Sequence, residues 1–354
     1  MAENSSAICS DRISLWPMSQ VFRLFLADFS HWPTQNPIFL FKFAPVIHFS
    51  LAKNHFPAMY RIVYFFARLM SMLPFGVLFV LSDFVCLILY RVVGYRVKVV
   101  RRNLQRSFPD KSEAELRVIE RRFYRWFCDY FVETLKLLDM SADEMKRHLE
   151  WHGIEDVEQC FDRGQHVAIF LGHYCNWEWM SACGLYLERH KEAVAGLIYH
   201  PLRQKNMDKL MLAVRSHFGG TCIDKHLILR YLVRYKRENH MTIFGYIADQ
   251  SPKWENIHLW LDFMHQDTPV FTGAERIARK MDNATFYCDL QRVSRGHYVA
   301  RFVKMEEHPA QLEEFDLTRQ FFTMLEQSIR RQPECYLWTH DRWKRQRVSR
   351  SDEN

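Results

Sequence analysis

Several features that mark special classes of protein are scarce in this sequence of 354 residues. Glycine and proline number only 12 each, and no repeat or low-complexity tract is present, which excludes collagen-like and disordered chains. No two of the nine cysteines form a C-x-x-C pair, so neither a structural zinc site nor a disulfide framework is expected. We therefore expect free thiols and a reducing compartment.

Metal-ligand and nucleic-acid signatures are equally sparse. Only the pair His173-x-Cys175 approaches zinc-ligand spacing, and it is not repeated. Basic residues outnumber acidic ones, 48 against 41, and the net charge of +7 favours anionic partners. No zinc finger or RNA-binding fingerprint accompanies that charge, so nucleic acid is not an expected partner. The sequence thus predicts neither a metal site nor a cofactor site.

Apolar and aromatic residues are plentiful, at 48% and 15% of the chain. This surplus fits a large core or a surface that meets lipid.

Residues 1–57 differ from the rest, because they hold five of the twelve prolines but only seven charged residues. We interpret 1–57 as an extension that is disordered or not part of the native protein, and 348–354 as a polar tail. Between them we expect a membrane-associating helical segment with a basic patch over 58–110 and one folded domain over 111–347.

The apolar segment 69–90 is 22 residues long and carries a single charge, Asp83. Its length fits a membrane span of about 20 residues. A carboxylate near the centre of a span is costly, so a helix that lies in the interface with one face in lipid competes with a true span. Residues 91–109 then contain six basic and no acidic residues, which indicates the cytoplasmic side of a membrane, although a solvated helix face is the alternative.

Further along the chain the pattern changes from helical to mixed. Ser112 and Glu115 form a capping box, and apolar residues follow at steps of three and four, which predicts one long amphipathic helix. Beyond Gly153, short apolar runs alternate with helical stretches, and this alternation favours an α/β fold with a largely parallel sheet. The predicted strands are 167–171, 193–199, 241–248, 284–290 and 298–303.

The turn after the strand Val167–Leu171 holds a candidate general base, His173. Glu178 follows one helical turn further, in a helix that begins near Asn176, so its carboxylate could hold one imidazole nitrogen and free the other to take a proton. The spacing alone carries no weight, because chance predicts roughly two such pairs in a chain of this composition and two are present. A turn histidine with a structural role is the alternative reading of His173.

The surrounding motif is more specific. The stretch LGHYCNWEW, residues 171–179, resembles the GHxGNWE element of the bacterial lipid A late acyltransferases, the lauroyl and myristoyl transferases of lipopolysaccharide assembly. Seven collinear elements of that family cover about residues 60–345. The other six matching elements are Arg101-Arg102-Asn103-Leu104 with Phe108-Pro109; Tyr199 with Pro201, Asn206 and Asp208; Arg215 with Gly219-Gly220; Asp249-Gln250; Phe271-Thr272-Gly273; and YLWTHDRWK at 336–344.

The resemblance implies a three-layer α/β/α acyltransferase fold, similar to glycerol-3-phosphate acyltransferases, with N-terminal membrane-associating helices. It implies that the domain 111–347 transfers a fatty acyl chain from acyl carrier protein, or acyl-CoA, to a hydroxyl of a lipid A precursor in lipopolysaccharide biosynthesis. The donor is a co-substrate, so no cofactor is implied. The implied location is the cytoplasmic face of the bacterial inner membrane, in contact with anionic lipids.

The resemblance also implies roles for individual residues. His173 would deprotonate the acceptor hydroxyl, Glu178 would orient and charge-balance it, and Arg215 would stabilise the thioester oxyanion or a substrate phosphate. No acyl-enzyme is required, so Cys175 need not be a nucleophile. Asn176 could donate to substrate, although we favour a helix cap for it. The implied substrate-binding residues are Asn176, Tyr199, Asp208, Asp249, Gln250, Thr272 and Gly273. We expect Asp249 and Gln250 to lie beside His173. We expect Thr272 and Gly273 to lie at the start of a helix near the site.

The sequence departs from the family pattern at His200, in the DQSPKWEN stretch and at Asp341. These departures affect the identity of the acceptor more than the class of reaction. The same acyl transfer to a glycolipid, an ornithine lipid or a pigment polyene is therefore the nearest alternative. A non-catalytic membrane scaffold is the alternative from another class, because fold and motif do not by themselves establish function.

Overall fold

The computed structural model describes residues 56–347. The predicted extension 1–57 therefore lies almost entirely outside the described residues, and the predicted polar tail 348–354 lies wholly outside them. The described chain forms two compact units. The larger one comprises residues 64–201 and 209–347, and the smaller one comprises 56–63 and 202–208.

Within the described residues, three helices precede the long amphipathic helix. The break between the first two falls at Pro74, which lacks an amide donor and so cannot continue the first helix. The second helix runs directly into a π-helical turn, which ends at Gly94 in a left-handed conformation. These elements are α1 (Phe56–Ser71), α2 (Phe75–Leu87) with its π turn (Ile88–Val93), and α3 (Val97–Ser107).

The predicted capping box and long helix are confirmed. The helix α4 (Glu113–Lys136) begins after Ser112, whose hydroxyl accepts the Glu115 amide at 3.3 Å. The Glu115 carboxylate in turn accepts the Ser112 amide at 2.8 Å. Two otherwise unpaired amides are satisfied in this way, which explains why the helix starts there. Its apolar stripe, including Phe123 and Phe127, is fully buried.

A seven-stranded sheet forms the centre of the larger unit, with the order β1-β9-β8-β2-β5-β3-β4. Every neighbouring pair is parallel except β8 with β9. The prediction of an α/β fold with a largely parallel sheet is therefore confirmed. The strands are β1 (Leu149–His152), β2 (Val167–Leu171), β3 (Val194–Tyr199), β4 (Thr221–Asp224), β5 (Thr242–Ile247), β8 (Ala284–Ser294) and β9 (His297–Glu306).

All five predicted strands are present, whereas the four-residue strands β1 and β4 were not predicted, because such short segments show no clear period. A separate antiparallel hairpin was also not predicted; it comprises β6 (Leu259–Phe263) and β7 (Gln266–Val270). Most of the remaining helices lie between strands, as expected for parallel pairing. They are α5 (Ala142–His148), α6 (Ile154–Asp162), α7 (Lys205–Arg215), α8 (Ile228–Arg237), α9 (Gly273–Met281), α10 (Asp316–Arg331) and four 3₁₀ segments (Trp177–Tyr186, Trp254–Asn256, Pro309–Gln311, Pro333–Cys335). The finer three-layer arrangement stays a prediction.

Among the described residues, one helix is long and apolar enough to cross a membrane, the continuous stretch Phe75–Val93. Its one acidic residue, Asp83, forms ion pairs with Arg295 at 2.8 Å and Arg125 at 3.3 Å. The preceding Ser82 is buried and donates to Asp129 in α4 at 2.7 Å. One face of α2 is thus tied to the folded domain by polar contacts, which removes the cost of an isolated carboxylate.

The opposite face of these helices is apolar and exposed. In α2 and its π turn the exposed side chains recur every three or four residues, so they form one stripe. Exposed apolar residues of this region within the larger unit are Phe65, Phe66, Leu69, Met72, Val77, Val80, Phe84, Leu87, Ile88, Val92 and Val93. An exposed apolar surface of this extent is typical of a protein or membrane contact.

Candidate functional site

The candidate site lies where two neighbouring strands end. β2 and β5 are adjacent and parallel, and their register pairs Leu171 with Ile247. The loops that follow them therefore leave the sheet at the same level and the same edge. This edge is where open α/β sheets place ligands and catalytic groups. It brings His173, two residues after β2, against Asp249, two residues after β5.

His173 and Asp249 are joined by two hydrogen bonds. The imidazole Nδ1 lies 2.7 Å from Asp249 Oδ1, and the backbone amide of His173 donates to Oδ2 at 3.1 Å. Asp249 is only 1% exposed. Burial opposes its ionisation, yet the attraction of His173 and these hydrogen bonds hold the pKa of Asp249 below its usual value. Asp249 is therefore an anion that accepts the Nδ1 proton.

The second imidazole nitrogen is available as an acceptor. With Nδ1–H donated to Asp249, Nε2 carries a lone pair and accepts the side-chain amide of Gln250 at 3.0 Å. The indole ring of Trp177 packs edge-on at 5.0 Å from the imidazole. The structure thus places Asp249 and Gln250 beside His173, as expected. This tautomer is the one that a general base aimed away from the sheet requires.

The expected hydrogen bond between Glu178 and His173 is wrong. Glu178 is 2% exposed and accepts two hydrogen bonds from Arg215, both at 2.7 Å. Trp177 Nε1 donates to the same carboxylate at 3.1 Å. Burial opposes ionisation, but the Arg215 charge, with a smaller effect of His173, lowers the pKa of Glu178. The carboxylate is near the imidazole and yet turned to Arg215, because a guanidinium fork satisfies both of its oxygens.

Asn176 has a different role from the favoured helix cap. It precedes the 3₁₀ helix Trp177–Tyr186, but its side chain makes no capping hydrogen bond. Instead, the fully buried Asn176 Nδ2 donates to Glu133 of α4 at 2.9 Å. Tyr298 donates to the same Glu133 oxygen at 2.7 Å. Asn176 therefore ties the site loop to α4.

The other predicted substrate-binding residues are spread over three elements. Tyr199 ends β3, which neighbours β5, so it lies on the same edge of the sheet as His173. Asp208 belongs to the smaller unit, where its Oδ1 accepts the backbone amide of Leu202 at 2.7 Å. Thr272 and Gly273 stand at the start of α9, so the predicted helix start is confirmed.

The last family motif, at 336–344, packs onto the loop of the base. Tyr174 and Tyr336 form an isolated antiparallel bridge, and the Leu337 amide donates to the His173 carbonyl at 3.2 Å. Asn103 of α3 donates to the carbonyls of Trp338 and His340, both at 2.9 Å. The first and last motifs of the chain are thus in contact, and together they position the residues around His173.

The departure from the family pattern at Asp341 has a structural counterpart. Arg102, in the same α3 motif, forms an ion pair with Asp341. Arg342, the next residue, is buried beside Asp249 and was not predicted as a site residue, because a basic residue near a chain end usually suggests a solvated surface. Within residues 56–347, no three His, Cys, Asp or Glu side chains converge as a metal-ligand group.

Comparison with known proteins identifies the family. The family model described as bacterial lipid A biosynthesis acyltransferase matches residues 49–345, which include every site residue named above. A protein of Shigella flexneri named lipid A biosynthesis acyltransferase 2 is 20% identical over 254 residues, covering 70% of this chain and 79% of that protein. Because the family model spans most of the chain, this protein belongs to the bacterial lipid A biosynthesis acyltransferase family and is an acyltransferase.

Proposed function

We propose that the protein transfers a fatty acyl chain from acyl carrier protein, or from acyl-CoA, to a hydroxyl of a lipid A precursor in lipopolysaccharide biosynthesis. Family membership supports the class of reaction and of acceptor. The observation that carries the mechanism is the 2.7 Å contact between His173 Nδ1 and the buried Asp249. That contact leaves Nε2 with a lone pair, as a general base requires.

In the proposed reaction the acceptor hydroxyl replaces Gln250 as the partner of His173 Nε2. As its oxygen attacks the thioester carbonyl carbon, the hydroxyl proton passes to Nε2, and the carbonyl oxygen becomes an oxyanion. Collapse of this intermediate breaks the carbon–sulfur bond, and the departing thiolate takes the proton from the imidazolium. Asp249 compensates the transient imidazolium charge, as the carboxylate of a Ser-His-Asp triad does.

Arg215 is the proposed partner of the oxyanion, with Glu178 as its positioning residue. Glu178 holds Nε and Nη2 of Arg215, and Nη1 makes no hydrogen bond with any described residue. The Arg215 side chain is 17% exposed, so substrate can reach it. A guanidinium that is held in place before the reaction stabilises developing charge without a reorganisation cost.

Gln250, Tyr199, Thr272 and Gly273 are the proposed substrate contacts. Gln250 already occupies the position next to Nε2 that the acceptor hydroxyl needs. Thr272 and Gly273 expose the first amides of α9, and free amides at a helix start suit an anionic group. Asp208 is proposed to act by ordering the turn that begins at Leu202.

We further propose that the apolar stripe of α2 lies in the cytoplasmic leaflet of the bacterial inner membrane. The polar face of α2 is held by the folded domain, so the helix presents only its other face to lipid. Arg91, Lys98 and Arg106 are exposed in the basic run and form no ion pair with a described residue. They suit anionic headgroups, which attract basic residues beside an apolar segment.

The test is transfer by purified protein in detergent, with a tetra-acylated lipid A precursor and acyl carrier proteins or acyl-CoA bearing C12 to C16 chains. Mass spectrometry should show a gain of one acyl chain for the wild type and for His152→Ala, a half-exposed histidine paired with Glu150. His173→Ala should lose it. If no donor gives this mass gain, the lipid A acceptor is rejected. A screen of glycolipid, ornithine lipid and polyene acceptors would then show whether the protein acylates another acceptor or is a non-catalytic scaffold.

A further inference from the structure

The motif at 336–344 brings a buried cation to the site that the reaction described above does not use. Hydrogen bonds from Leu337 to His173 and from Asn103 to Trp338 hold this segment against the loop of the base. Arg342 follows in the same segment and is 1% exposed. Its guanidinium carbon lies 5.9 Å from the ring centre of Phe322. The side chain is therefore enclosed by protein rather than directed to solvent.

None of the three guanidinium nitrogens of Arg342 has a hydrogen-bond partner among the described residues. Asp249 is the nearest candidate for a counter-ion, but its two oxygens bind His173, and no ion pair joins it to Arg342. Burial lowers the pKa of Arg342 to about 10, and interactions with Tyr336 and Asp249 only partly oppose this effect. A buried cation with five unused donors is costly, so it calls for an anionic partner.

Two further cations follow Arg342 in the chain. Lys344 and Arg345 follow in sequence and are half-buried, so positive charge extends from Arg342 toward the surface. Arg345 Nη1 donates to Ser251, two residues beyond Asp249, at 3.0 Å. Burial and the charge of Arg345 lower the pKa of Lys344 to about 8. Like charges gathered in a partly buried place repel one another unless an anion joins them.

We propose that Arg342, Lys344 and Arg345 bind a phosphate group of one of the two substrates, beside His173. The proposal rests on the proposed acyl transfer, in which both substrates are phosphorylated. A guanidinium fork matches two phosphate oxygens at once, and the lysine adds a point charge. The phosphate belongs either to the lipid acceptor or to the phosphopantetheine arm of the thioester donor.

The first experiment measures binding without catalysis. Inorganic phosphate is added to the full-length protein at constant ionic strength, with chloride as the reference, and the unfolding temperature is recorded. At a phosphate concentration ten times the dissociation constant, the wild type should gain about 2–4 °C. Arg342→Met should show no gain. Arg347→Met is the matched control, because Arg347 follows five residues later in the chain but is exposed and paired with Asp267 at 3.2 Å.

The same variants test whether Arg342 is unpaired in the free protein. Without phosphate, Arg342→Met should unfold at the wild-type temperature or above it, since replacing an unpaired buried charge by an apolar side chain of similar length is neutral or stabilising. A marked decrease in unfolding temperature would show that Arg342 is a structural ion-pair partner. That result, or a phosphate response that Arg342→Met retains, overturns the proposal.

The second experiment identifies the source of the phosphate. Arg342→Met should lower kcat/KM about ten- to hundredfold with the complete substrates, the range expected for lost charge-assisted hydrogen bonds. If the phosphate belongs to the acceptor, the ratio of wild-type kcat/KM to that of Arg342→Met should fall to about one with a dephosphorylated precursor. If it belongs to the donor, the ratio should fall with an acyl-N-acetylcysteamine thioester. An unchanged ratio in both arms overturns the proposal.

Failure of this proposal can be told apart from failure of the proposed function. A wild type that transfers no acyl chain would reject the proposed function, and the phosphate-induced rise in unfolding temperature would still be measurable. A wild type that transfers acyl chains but shows no phosphate response that depends on Arg342 would reject the phosphate site alone.

Discussion

At the scale of single residues, the partner of His173 determines which chemistry the site can perform. The structure gives that place to Asp249, which binds both the ring and the backbone amide of the histidine. A carboxylate with two such contacts fixes both the tautomer and the rotation of the imidazole. Glu178 fixes Arg215 in the same way, so the site contains two separately held charged pairs.

Asp249→Asn tests the first of these pairs. The amide has nearly the same shape as the carboxylate but cannot compensate an imidazolium or enforce the tautomer, so kcat should fall about 10³- to 10⁴-fold. The measurement is acyl transfer at saturating substrate. Asp224→Asn is the control, since Asp224 likewise ends a parallel strand, the edge strand β4, and it should keep activity within about threefold. A decrease of less than tenfold for Asp249→Asn would show that His173 does not depend on this carboxylate.

Glu178→Gln tests the second pair through stability. It leaves Arg215 without its counter-ion, so at pH 7 the free energy of unfolding should fall by about 3–5 kcal/mol. Because the pKa of Glu178 is lowered in the folded protein, its contribution is complete above about pH 4.3 and is lost as pH falls through its folded value. The difference between variant and wild type, measured by chemical denaturation, should therefore shrink toward pH 3.

Glu113→Gln is the matched control for that experiment. Glu113 forms an exposed ion pair with Arg117 one turn along α4, at 2.8 Å. Removing an exposed pair should change the free energy of unfolding by no more than about 0.5 kcal/mol at either pH. Equal effects of the two substitutions would mean that the Glu178–Arg215 pair is no stronger than a surface contact.

At the scale of elements, α2 has one face bound to the folded domain and one face exposed. Ser82 and Asp83 bind the folded domain. Gly296, in the turn between β8 and β9, lies against the ring of Phe79, and a Cβ at this position would be only 2.9 Å from that ring. Gly296 also has a positive φ of 75°, which favours glycine. These contacts decide which face of α2 remains exposed.

The exposed stripe of α2 leads to a prediction about membranes. Val80→Asp places a charge in the centre of the stripe, so partitioning into vesicles that contain anionic lipid should fall at least about tenfold. The measurement is cosedimentation of full-length protein with vesicles. Val233→Asp is the control, because Val233 is similarly exposed on α8, and it should leave partitioning unchanged. Equal partitioning of Val80→Asp and wild type would show that the stripe does not meet lipid.

The basic run after α2 is only partly available for membrane contact. Arg101 forms an ion pair with the buried carboxylate of Glu120, and Arg102 forms one with Asp341. Arg96 donates to the backbone carbonyl of Thr339 at 2.8 Å. Half of the six basic residues therefore hold α3 against the rest of the larger unit, and the run serves both structure and surface charge.

At the scale of the whole molecule, the net charge of +7 bears on the choice of donor. Acyl carrier proteins are acidic, so long-range attraction should favour their encounter with this chain. Raising salt from about 50 to 300 mM shortens the Debye length and should raise KM for an acyl carrier protein donor at least about fivefold. An uncharged acyl-N-acetylcysteamine donor is the control. A KM for the carrier protein that does not change with salt would exclude electrostatic recruitment of the donor.

Local sequence determined much of this protein by itself. The capping box at Ser112 and the apolar runs that form β2, β3, β5, β8 and β9 depend on residues near in sequence. Hydrophobic period and backbone restriction act over a few residues, which is why these features were predictable. The position of His173 after β2, and of Asp249 and Gln250 on the same edge, followed from the same patterns.

The pairing of charged groups was decided only by the tertiary structure. Sequence distance favoured Glu178 as the partner of His173, whereas strand register placed Asp249, 76 residues away, at 2.7 Å. Arg342 became a buried neighbour of the site only because α3 holds the last motif in place. Which charge meets which depends on strand register and on packing between distant segments, and neither is encoded in a local pattern.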